Sequence, residues 1–438
     1  MSPEAAIGRF LTSLKTPARI LVAISGGSDS TGLLLLLFKA LKATPNPRIS
    51  LCAATVDHAL RSGSADEARE VAALCGSLGI PHNTVVWQGE KPKTGIMAAA
   101  REARYGLLAE AAEAFGADLI VTGHTAEDQR ETLEMQGKRA ELLSTGIADA
   151  VLFDRRFWIL RPLLFSSRAD IRRFLSTSGV HWIDDPSNED MKYERVQTRR
   201  QLPLNMGAAT DVDTAAQRRL AYSSSGVKWL DNYFRLHGGL LGQVIPDGLR
   251  QDPAVFDYAL GRLTAVFGGR PFVPGRVQME RLLAFAANGK PGRMTAGRVV
   301  FDLRRDGLYL ARESRGILPL RLQPGETGVW DGRFFVRNGS AAVIHVDAAH
   351  AIDIDEGSAT RFPKAAWKRA MASAPALSAH SAPLSAEFGR LVEVTPHFAP
   401  FDRFLTRFDF TFADRLSAVF SRAPYAEPPL RSIDGKTI

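Results

Sequence analysis

Cysteine is almost missing from this chain: Cys52 and Cys75 are the only two in 438 residues. So few exclude a disulfide framework, and both lie in apolar-periodic stretches, which points to a reducing cytoplasm. Long apolar runs are missing as well. None exceeds six residues, as at Leu33–Phe38, whereas crossing a bilayer takes roughly 20. No membrane partner is therefore expected. The start, Met1-Ser2-Pro3-Glu4, lacks the basic and apolar regions of a signal peptide. Lysine is scarce, with 12 of the 55 basic residues, so the net charge of +8 is carried by 43 arginines. The planar arginine fork suits phosphate and makes nucleic acid a candidate partner, although a codon preference for arginine explains the same count. Repeats and low-complexity tracts are absent. What remains is an ordinary globular composition, 45% hydrophobic and 23% charged, in a chain long enough for two or three domains.

The first 130 residues alternate strand and helix signals. β-rich runs at Ala18–Ser25, Ile49–Asp57, Asn83–Trp87 and Asp118–Thr122 are separated by helical patterns at Thr31–Lys42, Ala65–Leu78 and Thr94–Phe115, and another helix starts near Thr125. Strands separated by helices of this length predict an α/β fold with a doubly wound parallel sheet, whose ligands sit at the carboxyl ends of the strands. After Arg161-Pro162-Leu163-Leu164 the pattern loosens. A helix is expected at Ser167–Ser178 and a charged helical linker at Asp211–His237, followed by a helix pair at Asp252–Gly268 and Arg276–Asn288. From Gly292 the signal turns to β. The expected division is a catalytic domain over 1–205, a linker over 206–240, a small helical domain over 241–290 and a β-containing domain over 291–438.

The sharpest motif is Ser25-Gly26-Gly27-Ser28-Asp29-Ser30, which ends the first strand and opens the first long helix. Serine hydroxyls, backbone N–H groups and the positive end of a helix together hold phosphate, and the glycines let the backbone approach it. No lysine follows the glycines, so it is not a P-loop, and the GxGxxG spacing of a dinucleotide site is missing. Further along, His124, Asp128 and Glu131 are spaced by four and three, which predicts one helix face beside a strand end. Such a set binds metal, positions an amine or takes its proton; a solvated helix face is the plain alternative. Asp57 and His58 close the second strand and are candidate lining of a nucleotide pocket. Arg104 is a candidate anion contact or a surface arginine paired with Glu102 or Glu110.

Val56-Asp57-His58-Ala59-Leu60-Arg61, Arg101-Glu102-Ala103-Arg104-Tyr105, Gly123-His124-Thr125-Ala126-Glu127-Asp128-Gln129-Arg130-Glu131-Thr132, Arg161-Pro162-Leu163-Leu164 and Asp185-Pro186-Ser187-Asn188-Glu189-Asp190 follow the first motif in order. This ordered set resembles the tRNA(Ile)-lysidine synthetase family of the N-type ATP pyrophosphatase (PP-loop) superfamily, over about residues 18–203. The resemblance implies ATP and Mg²⁺ as cofactors and tRNA(Ile) with a CAU anticodon and L-lysine as partners; a homodimer is compatible with it. It implies that Ser25–Ser30 grips ATP, that Asp29 and Asp128 hold the metal, and that Asp29, Arg104, His124, Asp128 and Glu131 handle ATP, Mg²⁺ and lysine. Arg139, Arg195, Arg199, Arg304 and Arg305 are the implied tRNA contacts. The chain departs from the family pattern at Ala140-Glu141-Leu142, where an Arg-Gly-Ser-Gly loop is usual, and at Gly95, Met97, Val196 and Gln197.

Beyond residue 210 the reading rests on composition. Seven arginines between Arg293 and Arg321 face three acids, Asp302, Asp306 and Glu313. Such an excess suits the phosphates of a tRNA stem, or equally a solvated sheet. Trp330, Phe334 and Phe335 alternate with small or polar residues and are expected in a core. The rival readings are a tRNA 2-thiolase, which needs reactive cysteines, and a catalytically silent tRNA-binding protein.

Overall fold

The computed structural model describes residues 1–60, 63–92, 94–137, 145–184, 208–349, 362–379, 382–383 and 390–431. The chain forms two compact units, Met1–Arg218 with Ala426–Ile438, and Arg219–Tyr425.

The first unit runs α1 (Pro3–Ser13), β1 (Ala18–Ala23), α2 (Ser28–Ala43), β2 (Ile49–Asp57), α3 (Ser64–Ser77), β3 (His82–Val86), α4 (Ile96–Phe115), β4 (Leu119–Thr122), α5 (Ala126–Gly137), β5 (Ala150–Phe153), β6 (Phe157–Leu160) and α6 (Arg168–Thr177). Its strands lie in the order β5-β6-β4-β1-β2-β3. β1 pairs in parallel with both β2 and β4, with Leu21 opposite Cys52 and Ile120. β3 and β6 extend the parallel sheet, and β5 turns back on β6 as an antiparallel hairpin. The central strands are apolar throughout: Ile20, Leu21, Val22, Leu119, Ile120 and Val121 are all fully buried. Such strands are stable only with helices on both faces. α2 lies close on α6, where a Cβ on Gly32 would come within 2.3 Å of Ile171 Cγ2.

From β1 the chain steps outward to β2 and β3, then crosses back to place β4 on the other side of β1. The strand order therefore reverses between β1 and β4, and the crevice of a doubly wound sheet opens at such a point. Residues 426–431 return to this unit, with the Arg431 N–H donating to the Ser13 carbonyl at 2.7 Å and Trp158 Nε1 to the Ala426 carbonyl at 2.9 Å.

In the second unit, β7 (Phe234–His237), β8 (Leu241–Val244), β9 (Gly292–Ala296), β10 (Val299–Arg304) and β11 (Gly307–Arg312) form an antiparallel sheet in the order β7-β8-β11-β10-β9. Helices Pro253–Gly268, Arg276–Ala287 and Lys364–Ala372 pack on it. Residues 234–237, read from sequence as the end of a helix, are a strand, because the alternation Phe-Arg-Leu-His pairs with Leu241–Val244. The same sheet joins residues 241–244 to 292–312, which the sequence reading had assigned to separate helical and β domains. Two smaller sheets follow, and Trp330 is in their core at 1% exposure.

Candidate active site

The loop after β1 is shaped by its own hydroxyls. Ser30 Oγ accepts from the Ser25 N–H at 3.1 Å and donates to the Gly27 carbonyl at 3.1 Å, while Thr31 Oγ1 donates to the Gly26 carbonyl at 3.1 Å. Gly26 has φ +85°, and a Cβ there would lie 2.6 Å from Ile183 Cδ1. The Ile183 N–H in turn donates to the Gly26 carbonyl at 2.9 Å. The loop opens directly into α2, so the N–H groups of Ser28, Asp29 and Ser30 belong to a first helical turn and have no intrahelical acceptor.

Two further helices begin here. The Ala126 N–H at the start of α5 donates to the Ser166 carbonyl at 3.0 Å, and the Arg168 N–H at the start of α6 donates to Glu127 Oε2 at 3.0 Å. Three helix N-termini thus gather at the end of β1 and β4, each adding positive potential for an anion. Gly123 makes the approach possible: a Cβ on it would lie 2.8 Å from the Asp29 carbonyl carbon and oxygen and 2.9 Å from the Ser30 nitrogen.

Arg168 ties the carboxylates together. Its Nε donates to Asp29 Oδ2 at 2.8 Å, and its Nη2 is 3.6 Å from Asp128 Oδ2. One turn on, Arg172 Nε donates to Ser28 Oγ at 3.3 Å. Burial pushes the Asp29 carboxyl above its ordinary range; Arg168 opposes this and the like charge of Asp128 adds to it. The Arg168 guanidinium is held more firmly charged, since its carboxylate neighbours outweigh its burial. Asp128 Oδ2 also accepts from the N–H and hydroxyl of Thr125, at 2.9 and 3.0 Å, and so caps α5.

The expectation of His124, Asp128 and Glu131 on one helix face needs correction. α5 starts at Ala126 and His124 precedes it, its Nδ1 2.9 Å from Thr122 Oγ1, because Gly123 runs against the Asp29 backbone and Thr125 is spent as the cap. Asp128 and Glu131 do lie on α5, and Glu131 is buried at 1% exposure. Asp57 and His58 end β2, where Asp57 Oδ1 accepts from the Ala59 N–H at 2.8 Å. His58 stands edge-on to Trp87, and its buried Nδ1 has no hydrogen-bond partner among the described residues. Burial lowers its pKa, and the nearby Arg104 and Lys91 lower it further against Asp57. Arg304 is paired with Asp302 through Nε at 2.9 Å and Nη2 at 3.1 Å, and Arg305 is exposed at the β10–β11 turn. Arg139, Arg195, Arg199, the segments 140–142 and 185–190, and Val196 and Gln197 lie outside the described residues.

Sequence reasoning missed Arg168 and Arg172. For Arg168 a signal was present: it follows the capping residue Ser167, and a cation in the first turn of a helix opposes the helix dipole unless carboxylates draw it there. As to a metal, no group of three or more His, Cys, Asp or Glu among the described residues is placed to hold one. Two carboxylates sharing one arginine beside a phosphate loop instead match Mg²⁺, which is ordinarily held by one or two carboxylates plus substrate phosphates. The two thiols are unsuited to redox chemistry. Both are buried, and burial pushes Cys75 up to about 11 and raises Cys52 as well.

Comparison with known proteins agrees with this geometry. Residues 2–205 match the PP-loop domain family. The chain is 43% identical to the tRNA(Ile)-lysidine synthase of Rhizobium meliloti (strain 1021), over 97% of this chain and 96% of the relative. It is 37% identical to that of Mesorhizobium japonicum, over 93% of each, and 33% identical to that of Brucella anthropi, over 92% of this chain and 94% of the relative.

Proposed function

The chain belongs to the tRNA(Ile)-lysidine synthase family, and from that membership we infer that it is a ligase joining L-lysine to C2 of the wobble cytidine in the CAU anticodon of tRNA(Ile). The cytidine O2 attacks the α-phosphorus of ATP and pyrophosphate leaves. The lysine amine then attacks C2, its proton passes to a base, and AMP departs with the former O2. ATP and tRNA as substrates place the reaction in the cytoplasm.

The observation that carries the reading is the meeting of Ser25–Ser30 with Gly123–Glu131 at the reversal of strand order, under three helix N-termini. The loop and the first turn of α2 receive the pyrophosphate portion of ATP. Asp29 and Asp128 would hold Mg²⁺, which offsets the charge that develops on the phosphates. Arg168 bridges these carboxylates until the substrate arrives, and Arg172 positions Ser28. Asp57, His58 and Arg104, at the adjacent end of β2, line the nucleotide side of the crevice. We assign His124, at the end of β4, as the base that takes the amine proton, and Glu131 as the carboxylate that favours lysine.

Incorporation of labelled lysine into unmodified tRNA(Ile) transcript, with ATP and Mg²⁺, tests this beside an Asp128→Ala control. ATP-dependent label that vanishes in the control is the expected result. No label from the intact chain, with ATP and tRNA still bound, refutes it in favour of another nucleophile or a silent binder.

A further inference from the structure

A second cleft lies in the unit Arg219–Tyr425, beside the end of helix Pro253–Gly268. It encloses about 330 Å³ and is lined by Thr264, Arg270, Phe272, Gln278 and Arg298 among others. This is the lower end of ligand-sized pockets, enough for one nucleotide.

Its walls are fixed by backbone packed too closely for side chains. A Cβ on Gly268 would lie 2.0 Å from the Gly297 carbonyl oxygen, and one on Gly269 2.0 Å from that of Asp331. The chain then leaves the helix as Arg270-Pro271-Phe272-Val273-Pro274-Gly275, and the two prolines restrict φ on either side of Phe272. Phe272 is 80% exposed. A large ring held in water on such a loop forgoes the burial an aromatic side chain ordinarily gains.

Charge supplies the rest. Arg298 occupies the β9–β10 turn at φ +67°, a conformation that a residue with a Cβ rarely adopts. It reaches Asp331, which already accepts from Arg312 at 2.9 Å and from Arg333 at 2.7 Å. One carboxylate thus faces three guanidiniums. The Arg270 side chain has no hydrogen-bond or ion-pair partner among the described residues. Burial lowers the Arg298 pKa, and the nearby Arg312 and Arg270 lower it further against Asp331.

We propose that this cleft takes an unpaired nucleotide of the bound tRNA, its base stacked on Phe272 and its phosphate on Arg270 and Arg298. The proposal rests on the tRNA reading above and adds the place and chemistry of a contact outside the active site. Every base has a π-face, so stacking of this kind adds affinity without reading sequence.

Anisotropy titration of labelled tRNA(Ile) transcript with the full chain tests it. Phe272→Ala raises Kd about 5- to 150-fold, the ordinary loss for one stacked base. Phe272→Trp restores binding and Phe272→Leu does not. Arg270→Gln lowers the slope of log Kd against log salt by about one. Acylation of 2′-hydroxyls on the bound tRNA shows an unpaired nucleotide protected by the wild-type chain and exposed again with Phe272→Ala. Because Phe272 is exposed, circular dichroism melts of these variants should match the wild type. Unchanged Kd in Phe272→Ala, full rescue by leucine (a contact suited to an apolar protein surface), or the same protection of unpaired nucleotides by the wild-type chain and by Phe272→Ala overturns the proposal while leaving the tRNA reading intact. A wild-type chain that fails to bind the tRNA overturns both.

Discussion

Arg168→Ala offers the most informative perturbation of the first unit. Arg168 donates to Asp29 at 2.8 Å and stands 3.6 Å from Asp128, with side-chain exposures of 21%, 18% and 14% for the three residues. At an effective dielectric of about 20, pairs at these separations attract by about 5–6 kcal/mol before desolvation. After desolvation is subtracted, a charge-assisted hydrogen bond of this kind nets about 2 kcal/mol. In a unit of this size that corresponds to about 4–8 °C in Tm. The loss depends on pH, and its sign follows from Asp29. Burial already raises that carboxyl while Arg168 pulls it back, so removing the cation raises it further. A carboxyl whose folded pKa exceeds its unfolded value stabilises the fold when protonated and loses this advantage as pH rises through the folded pKa. The variant's deficit is therefore larger near about pH 8 than near about pH 5. Mg²⁺ without ATP should also raise the Tm of the variant more than that of the wild type, since two carboxylates have lost their resident cation. Calorimetry at both pH values, with and without Mg²⁺, reads each effect without any turnover. Equal deficits at the two pH values and no difference in the Mg²⁺ response would refute the bridging role of Arg168.

Gly123→Ala places a Cβ 2.8 Å from the Asp29 backbone, so the strand end and the loop must separate by about 0.6 Å to reach ordinary contact. The expected cost is about 1–3 kcal/mol in stability and about 10²-fold in tRNA-dependent pyrophosphate release; a fully active variant contradicts the packing argument. In the second unit, burial alone would raise the Asp409 carboxyl, but Arg219, Arg262 and the Tyr258 hydroxyl hold it far below its usual range. Its stabilisation is complete above the unfolded value of about 3.9 and is lost as pH falls towards the folded one. Acid melts should show Asp409→Asn, destabilised by about 3–5 kcal/mol at neutral pH, converging on the wild type at low pH. Both thiols are buried, and burial pushes Cys75 up to about 11, so alkylation at neutral pH should follow unfolding. Rapid labelling of the native chain would show that burial does not protect them.

The legibility of this chain in its sequence follows from where its chemistry depends on local order. Ser25–Ser30 announces itself because strand, turn and helix start are consecutive, and the hydroxyl bonds that shape the loop span five residues or fewer. Arg168 was not legible as a site residue, since its partner Asp29 is 139 positions away and only the packing of α6 on α2 brings them together. The face assigned to His124 failed by two residues, because spacing alone does not say where a cap starts a helix. In the second unit β7 and β8 were missed because four residues are too few to separate a strand from a helix by periodicity. The arginine excess there was visible, but its division was not. Arg298, Arg312 and Arg333 share a buried Asp331 and Arg304 pairs with Asp302, while Arg270 has no such partner among the described residues. A count of basic residues therefore overstates the charge available to RNA, and the difference is set by which carboxylates the fold buries. Arg270 stands beside Phe272, a ring that Pro271 and Pro274 hold in water, a coincidence that packing alone does not require.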